Sequence, residues 1–256
     1  MNIRSFCLTL ALFLGIGLAC DSAQAQSAAR RYAVLSLIGD SLTVVTYQPA
    51  TGSHLDRNHH QSLAMPSESF DIPALRATAA AISKLDGNSK VSLMTATSPS
   101  LYVDVIGMLN ALTLQLPADV LAAVKQDEVT HLIVLSKLRG EASLQARNVS
   151  VGSGKLEGLG YYVDTVKRMT RSDTGEAGVG FLAPYAYFKL TLIDVASMRV
   201  LGSESVRATQ TLSAARAKDS TSPWDALTAQ QKVDTLQRMI ASEVARVVPK
   251  LLQASN

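Results

Sequence analysis

The residue of this sequence best placed to perform covalent catalysis is Ser41, in the segment Gly-Asp-Ser-Leu at 39–42. An apolar run at 32–38 precedes it, so the hydroxyl would stand at the end of a strand. A serine attacks an acyl carbonyl only when a base within hydrogen-bond distance accepts its proton. The histidines that could supply this base are His54, His59, His60 and His131, and none lies in the last hundred residues.

Segment 39–42 resembles the signature of the GDSL (SGNH) hydrolases, a family of lipases and esterases. The resemblance implies Ser41 as nucleophile, a C-terminal Asp-x-x-His as base and orienting acid, and Gly and Asn in the oxyanion hole. Here the Asp-x-x-His is at 56–59, too early for the family's order, and the Gly-x-Asn-Asp block is missing. We therefore assign no catalytic residue and keep an exported serine esterase using Ser41 as the alternative function.

Two other patterns could hold a metal or a cofactor. His54, His59 and His60 lie beside Asp56, and imidazole together with carboxylate can bind a metal. The cluster falls in the polar, turn-rich stretch 48–69, so we expect a solvated loop and no metal site. The glycines of 151–160 fit neither the P-loop nor the dinucleotide-binding spacing, so no cofactor is predicted.

A loop predicted at 175–187 combines several glycines with apolar and aromatic residues. An apolar group in a flexible loop can contact a partner or a membrane, although it can equally pack over a sheet edge. We assign Phe181, Leu182 and Tyr185 as candidate partner-binding residues.

The order of elements predicts an α/β fold. Segments 32–38 and 42–47 predict a β-hairpin with its turn at Gly39-Asp40, and 187–194 with 199–206 predict a second one. A strand is expected at 91–95, and a buried strand at 131–135, where the apolar run is continuous. We expect a single-domain sandwich in which helices pack on a mixed sheet.

Helices are predicted at 71–85 with Asp71 as the cap, at 101–112, and from Pro117 to about Lys125. A long amphipathic helix is predicted at 228–252, where apolar residues recur every three or four positions. Thr228 and Gln231 form a candidate capping box at its start.

The first 25 residues are typical of a cleavable signal peptide. Arg4 provides the positive end, an apolar stretch follows, and Ala23-Gln24-Ala25 is a small-x-small cleavage site. Residues 17–20 also resemble a bacterial lipobox, although Gly17 stands where leucine is usual. Cleavage after Ala25 gives a free periplasmic domain at 26–256, whereas lipidation of Cys20 gives an anchored lipoprotein.

Composition excludes several functions. Hydrophobic residues make up 47% of the chain, which is typical of a globular protein. The formal net charge of +3 is too small to indicate nucleic-acid binding. Both cysteines, Cys7 and Cys20, lie in the signal segment, so the predicted mature chain has no thiol or disulfide.

The hairpin at 187–206 and the amphipathic C-terminal helix resemble small envelope domains of the curli-secretion lipoprotein and penicillin-binding-protein activator group. The whole chain also looks like an exported proteobacterial protein. The resemblance implies assembly or protein contact rather than catalysis. We therefore expect a non-enzymatic periplasmic protein that binds another envelope component through a sheet edge or the 175–187 loop. A small-ligand or lipid carrier is a further alternative.

Overall fold

The structure is a computed structural model, and it describes residues 30–49, 56–96, 98–103, 109, 116–146, 149–171 and 173–253. The predicted signal peptide, His54 and most of the helix expected at 101–112 lie outside these residues, so those predictions stay untested.

The described part of the chain forms twelve strands, three α-helices and two short 3-10 helices at Ala214–Arg216 and Pro223–Ala226. The strands are β1 (Arg31–Leu37), β2 (Ser41–Thr46), β3 (His59–Ala64), β4 (Lys90–Thr95), β5 (His131–Lys137), β6 (Arg139–Glu141), β7 (Leu144–Ala146), β8 (Val149–Val151), β9 (Lys155–Thr170), β10 (Ala177–Asp194), β11 (Arg199–Thr209) and β12 (Leu212–Ser213). The helices are α1 (Glu68–Leu85), α2 (Ala118–Gln126) and α3 (Ala229–Gln253). The α/β class, the mixed sheet and the long C-terminal helix are confirmed.

Strand β10 is the central strand of the main sheet. Its C-terminal half pairs with β5 and its N-terminal half with β9, while β11 and β12 pair along the opposite edge. Strands β5 and β9 therefore lie end to end beside β10. Beyond them the sheet divides into two branches, one of β5, β1 and β4 and the other of β9, β2 and β3.

The predicted hairpin of 32–38 with 42–47 is wrong. β1 lies between β4 and β5 and is parallel to both, whereas β2 lies between the parallel β9 and the antiparallel β3. Gly39-Asp40 therefore carries the chain from one branch to the other without reversing it. Turn residues signal a change in backbone direction, but they do not specify which strands pair.

Helices cover both faces of the sheet. On one face α1 and α3 bury a continuous apolar cluster that includes Phe70, Ile82, Ile240 and Val247. On the other face α2 covers one end, and the β7–β8 hairpin packs over a cluster of aromatic residues at the other end. Since β10 is covered on both faces, nearly all of its side chains are buried.

Two features predicted from local sequence in the C-terminal half of the chain are confirmed. The β10–β11 hairpin is present, with its turn after Asp194. The capping box is also present, because the Thr228 N–H donates to Gln231 Oε1 at 2.9 Å and the Gln231 N–H donates to Thr228 Oγ1 at 3.2 Å. No helix in the described part of the chain is both long and apolar enough to cross a membrane.

Candidate functional site

A cluster of Asp40, Ser41 and Lys137 lies where the sheet divides into its two branches. Lys137 ends β5, and its Nζ lies 2.5 Å from Asp40 Oδ1 and donates to Ser41 Oγ at 2.7 Å. Its aliphatic stem passes Gly158, where an added Cβ would lie 3.1 Å from the lysine Cδ. The lysine thus joins the end of β5 to the start of β2, across the gap between the two branches.

Asp71, on the first turn of α1, fixes the chain between β1 and β2. Its Oδ1 accepts from Ser36 Oγ at 2.6 Å and from the N–H groups of Ile38 and Gly39, each at 3.1 Å. Its Oδ2 accepts from the Tyr102 hydroxyl at 2.6 Å. Asp71 was predicted to cap the helix, but α1 begins at Glu68, and the carboxylate instead binds the segment before Ser41.

Burial dominates the electrostatics of Asp71. The side chain is almost fully buried, and this raises its pKa above the ordinary value although its hydrogen-bond donors oppose the shift. The Tyr102 hydroxyl is affected in the same direction, since burial and its hydrogen bond to Asp71 raise the pKa of Tyr102. This pair stabilises the position of the 38–40 segment.

The described surroundings of Ser41 lack the histidine that the GDSL resemblance implies. The residue hydrogen-bonded to the Ser41 hydroxyl is instead Lys137, which is also ion-paired with Asp40. His60 is opposite Val45, four residues along β2 from Ser41, which separates their backbones by roughly 13 Å. Among the described residues, the esterase alternative therefore lacks the histidine base that the GDSL resemblance implies.

A polar pocket of about 390 Å³ opens beside this cluster. Its lining comes from β2, β3, β5, β6 and β9, and it consists of Ser41, Thr43, His60, Ser62, Lys137, Arg139, Lys155, Leu156 and Glu157. Such a lining offers ammonium, guanidinium and hydroxyl donors, and Leu156 is its one apolar residue. It does not favour the lipid-carrier alternative, because lipid sites are mainly apolar.

Sequence reasoning missed the residues that shape this pocket. Lys137, Arg139 and Lys155 are far apart in sequence from Ser41 and belong to no recognised motif. One signal was available, since the apolar run of β5 at 132–135 is followed by a serine and then by Lys137. Only strand pairing shows that this lysine faces Ser41.

Two members of the predicted histidine cluster, His59 and His60, lie on an edge strand, whereas Asp56 precedes this strand and His54 lies outside the described residues. His59 and His60 are exposed residues of β3, and His60 Nε2 lies 3.3 Å from Asp56 Oδ2. Partial burial raises the pKa of Asp56. The N–H donors of Lys155 and Asn58 and the neighbouring His60 lower it by a larger amount, so the pKa of Asp56 lies below its ordinary value. The described residues include no group of three acidic, histidine or cysteine side chains placed to hold a metal.

Strand β3 forms the outer edge of its branch and pairs, among the described residues, only with β2. All six of its residues are exposed, and none is Asp, Glu, Lys, Arg or proline. Its outer row of backbone N–H and C=O groups is therefore accessible within the described part of the molecule.

The prediction of a loop at 175–187 is wrong. Residues 177–187 belong to β10, and Phe181, Leu182 and Tyr185 are fully buried between sheet neighbours and covering elements. Gly178 is required by a close approach, since an added Cβ there would overlap the backbone nitrogen of Ala215. A partner role for these three side chains stays a prediction, and it would require the sheet to open.

Comparisons with known proteins find fold likeness only. No family model matches the chain, and no curated protein matches it. A DUF330 protein of Xanthomonas campestris is similar over 88% of this chain and 84% of its own, with 9% identity and a TM-score of 0.38. A putative neuraminyllactose-binding hemagglutinin homolog of Helicobacter pylori is similar over 88% and 83%, with 7% identity and a TM-score of 0.39.

The PelC dodecamer of Paraburkholderia phytofirmans is similar over 87% of each chain, with 14% identity and a TM-score of 0.31. All three are bacterial proteins. At these TM-scores the likenesses carry no argument about function, and the resemblance to the curli-secretion and penicillin-binding-protein activator group stays a prediction.

Proposed function

We propose that this protein is a non-enzymatic binding protein of the cell envelope, which binds a partner by adding a strand to the edge of β3. The supporting observation is the edge itself: six exposed residues that include no Asp, Glu, Lys, Arg or proline and that are paired on one side by β2. Natural sheets usually protect such an edge with charges, proline, bulges or a covering element. An edge without charges or proline is suited to pairing with an extended segment of another protein.

Strand β11, at the opposite edge of the sheet, differs from β3 in composition. β11 carries Arg199, Glu204 and Arg207, and such charges discourage strand addition. Of the two routes expected from the sequence, the sheet edge therefore has better support than segment 175–187, which is buried.

Site-specific photo-cross-linking tests the proposal. A photoreactive side chain at Leu63 on β3 is compared with one at Leu201 on β11, because both leucines are 37% exposed. We expect a discrete cross-linked partner from position 63 in intact cells and none from position 201. Equal cross-linking from both positions, or none from position 63, would contradict the proposal.

A pair of proline variants shows whether the backbone of β3 makes the contact. Adjacent residues of a strand direct their N–H groups to opposite edges, so one of Gln61→Pro and Ser62→Pro removes an outward donor and the other an N–H directed at β2. The outward variant should retain the stability of the wild type and lose the cross-link at Leu63. If both variants retain the cross-link, backbone pairing is refuted.

The periplasm as location is part of the proposal and depends on the predicted signal peptide. Mass spectrometry of the mature N-terminus distinguishes its forms. A chain beginning at Gln26 indicates a free periplasmic protein, and a chain beginning at acylated Cys20 indicates an anchored lipoprotein. An intact Met1 in the cytosolic fraction would contradict export.

A further inference from the structure

We infer that the segment added to β3 is acidic and that one of its carboxylates enters the polar pocket beside Ser41. This inference rests on the proposed function, and it specifies the chemistry of the partner. It is carried by the position of the pocket relative to β3 and by the groups that line the pocket.

The pocket and the edge share a face of the sheet. His60 and Ser62 belong to β3 and line the pocket, as does Thr43 of β2, which is directly opposite Ser62. Neighbouring strands are about 4.8 Å apart, so a strand added outside β3 would run about 10 Å from β2. A long side chain on the pocket face of that strand would extend over His60 and Ser62 toward the opening.

The lining is rich in donors and cations. Lys137, Arg139 and Lys155 come from three different strands, and the hydroxyls of Ser41, Thr43 and Ser62 add further donors. Lys137 and Lys155 are ion-paired with Asp40 and Glu141, neither of which lines the pocket. The one carboxylate in the lining is that of Glu157.

Arg139 is the side chain best placed to receive a carboxylate. Its Nε lies 3.9 Å from Glu157 Oε2, which is beyond hydrogen-bond distance, and both side chains are substantially exposed. A guanidinium binds an incoming carboxylate with two parallel hydrogen bonds, which are stronger than a loose contact at this distance. A basic segment would instead bring a like charge toward the three cations.

Three synthetic peptides test the inference: acetylated, fluorescein-labelled hexapeptides that alternate threonine with glutamate, glutamine or lysine. Threonine favours the extended conformation, and the alternation places the three variable side chains on one face. We expect the glutamate peptide to bind about tenfold more tightly than the glutamine peptide in fluorescence anisotropy, a difference of about 1.4 kcal/mol. The lysine peptide should bind most weakly, and salt should reduce the advantage of glutamate.

Variants of the lining show whether the pocket is responsible. Arg139→Gln and Lys155→Gln should each weaken binding of the glutamate peptide several-fold and leave that of the glutamine peptide unchanged. Arg246→Gln is the control, since Arg246 is an exposed arginine of α3 that pairs with Glu243 away from the pocket. Circular dichroism verifies that each variant is folded.

The outcomes separate the inference from the proposed function. If glutamate and glutamine peptides bind equally, or if no peptide binds while Leu63 still cross-links to a partner, the acidic-segment inference is overturned and the proposed function stands. Equal effects of the control and the pocket variants would also overturn the inference. Absence of both peptide binding and cross-linking would refute both.

Discussion

Replacing Asp71 by alanine should destabilise the protein strongly, because this carboxylate satisfies donors that would otherwise be unpaired in the interior. The substitution removes the acceptor for the N–H groups of Ile38 and Gly39 and for the hydroxyls of Ser36 and Tyr102. Each buried donor left unpaired costs about 1–3 kcal/mol. Since the hydroxyls can rotate toward other acceptors and the amides cannot, we expect a loss of about 3–5 kcal/mol.

Urea denaturation followed by circular dichroism measures this loss as a change in the free energy of unfolding at constant slope. Glu68→Ala is the matched control, because Glu68 is also in the first turn of α1 but exposed. Removing its interaction with the helix dipole should cost about 0.3–1 kcal/mol. If Asp71→Ala costs no more than Glu68→Ala, Asp71 does not hold the 38–40 segment and the reasoning is refuted.

The pH dependence of Asp71→Asn tests the electrostatic part of the same reasoning. Burial raises the pKa of Asp71 in the folded protein, so the folded state binds a proton that the unfolded chain has released. This contribution to stability is complete below the ordinary aspartate pKa and is lost as the pH rises through the raised value. The wild type should therefore exceed Asp71→Asn in stability by more at acidic than at neutral pH, and a constant or reversed difference would refute the burial argument.

Two further substitutions test the pairing of β2 with β9 and the start of α3. Gly160→Ala should lower the free energy of unfolding, measured by urea denaturation, by about 3 kcal/mol or more. The added Cβ would overlap the Thr43 carbonyl oxygen and push β9 away from β2. Gly87→Ala is the control and should be close to neutral, because the nearest atom to its added Cβ is 4.0 Å away. Thr228→Ala should lower the melting temperature through a loss of about 1 kcal/mol, because it removes the acceptor for the Gln231 N–H, and an unchanged temperature would contradict the capping box.

Elements whose signals are local were predicted well. The apolar stripe of α3, its Thr228–Gln231 capping box and the β10–β11 hairpin all depend on residues close together in sequence. The strand at β5 was also predicted, because its continuous apolar run requires burial on both faces. Helix periodicity and short turns need no information from distant parts of the chain.

Elements that depend on distant partners were predicted poorly. Gly39-Asp40 has the composition of a hairpin turn, yet Asp71 binds this segment in a form that carries the chain between branches. Residues 177–187 have the glycines and aromatics of a loop, yet they form the central strand because β9 and β12 pair with them. In both cases the deciding contacts come from residues far away in sequence.

The sequence by itself determined the α/β class, the amphipathic C-terminal helix and the absence of a catalytic histidine near the C-terminus. Only the tertiary structure decided that Lys137 faces Ser41, that Phe181 is buried and that β3 is an exposed edge. The physical reason is that side-chain periodicity fixes which residues share a face, whereas strand pairing across long separations fixes what that face meets.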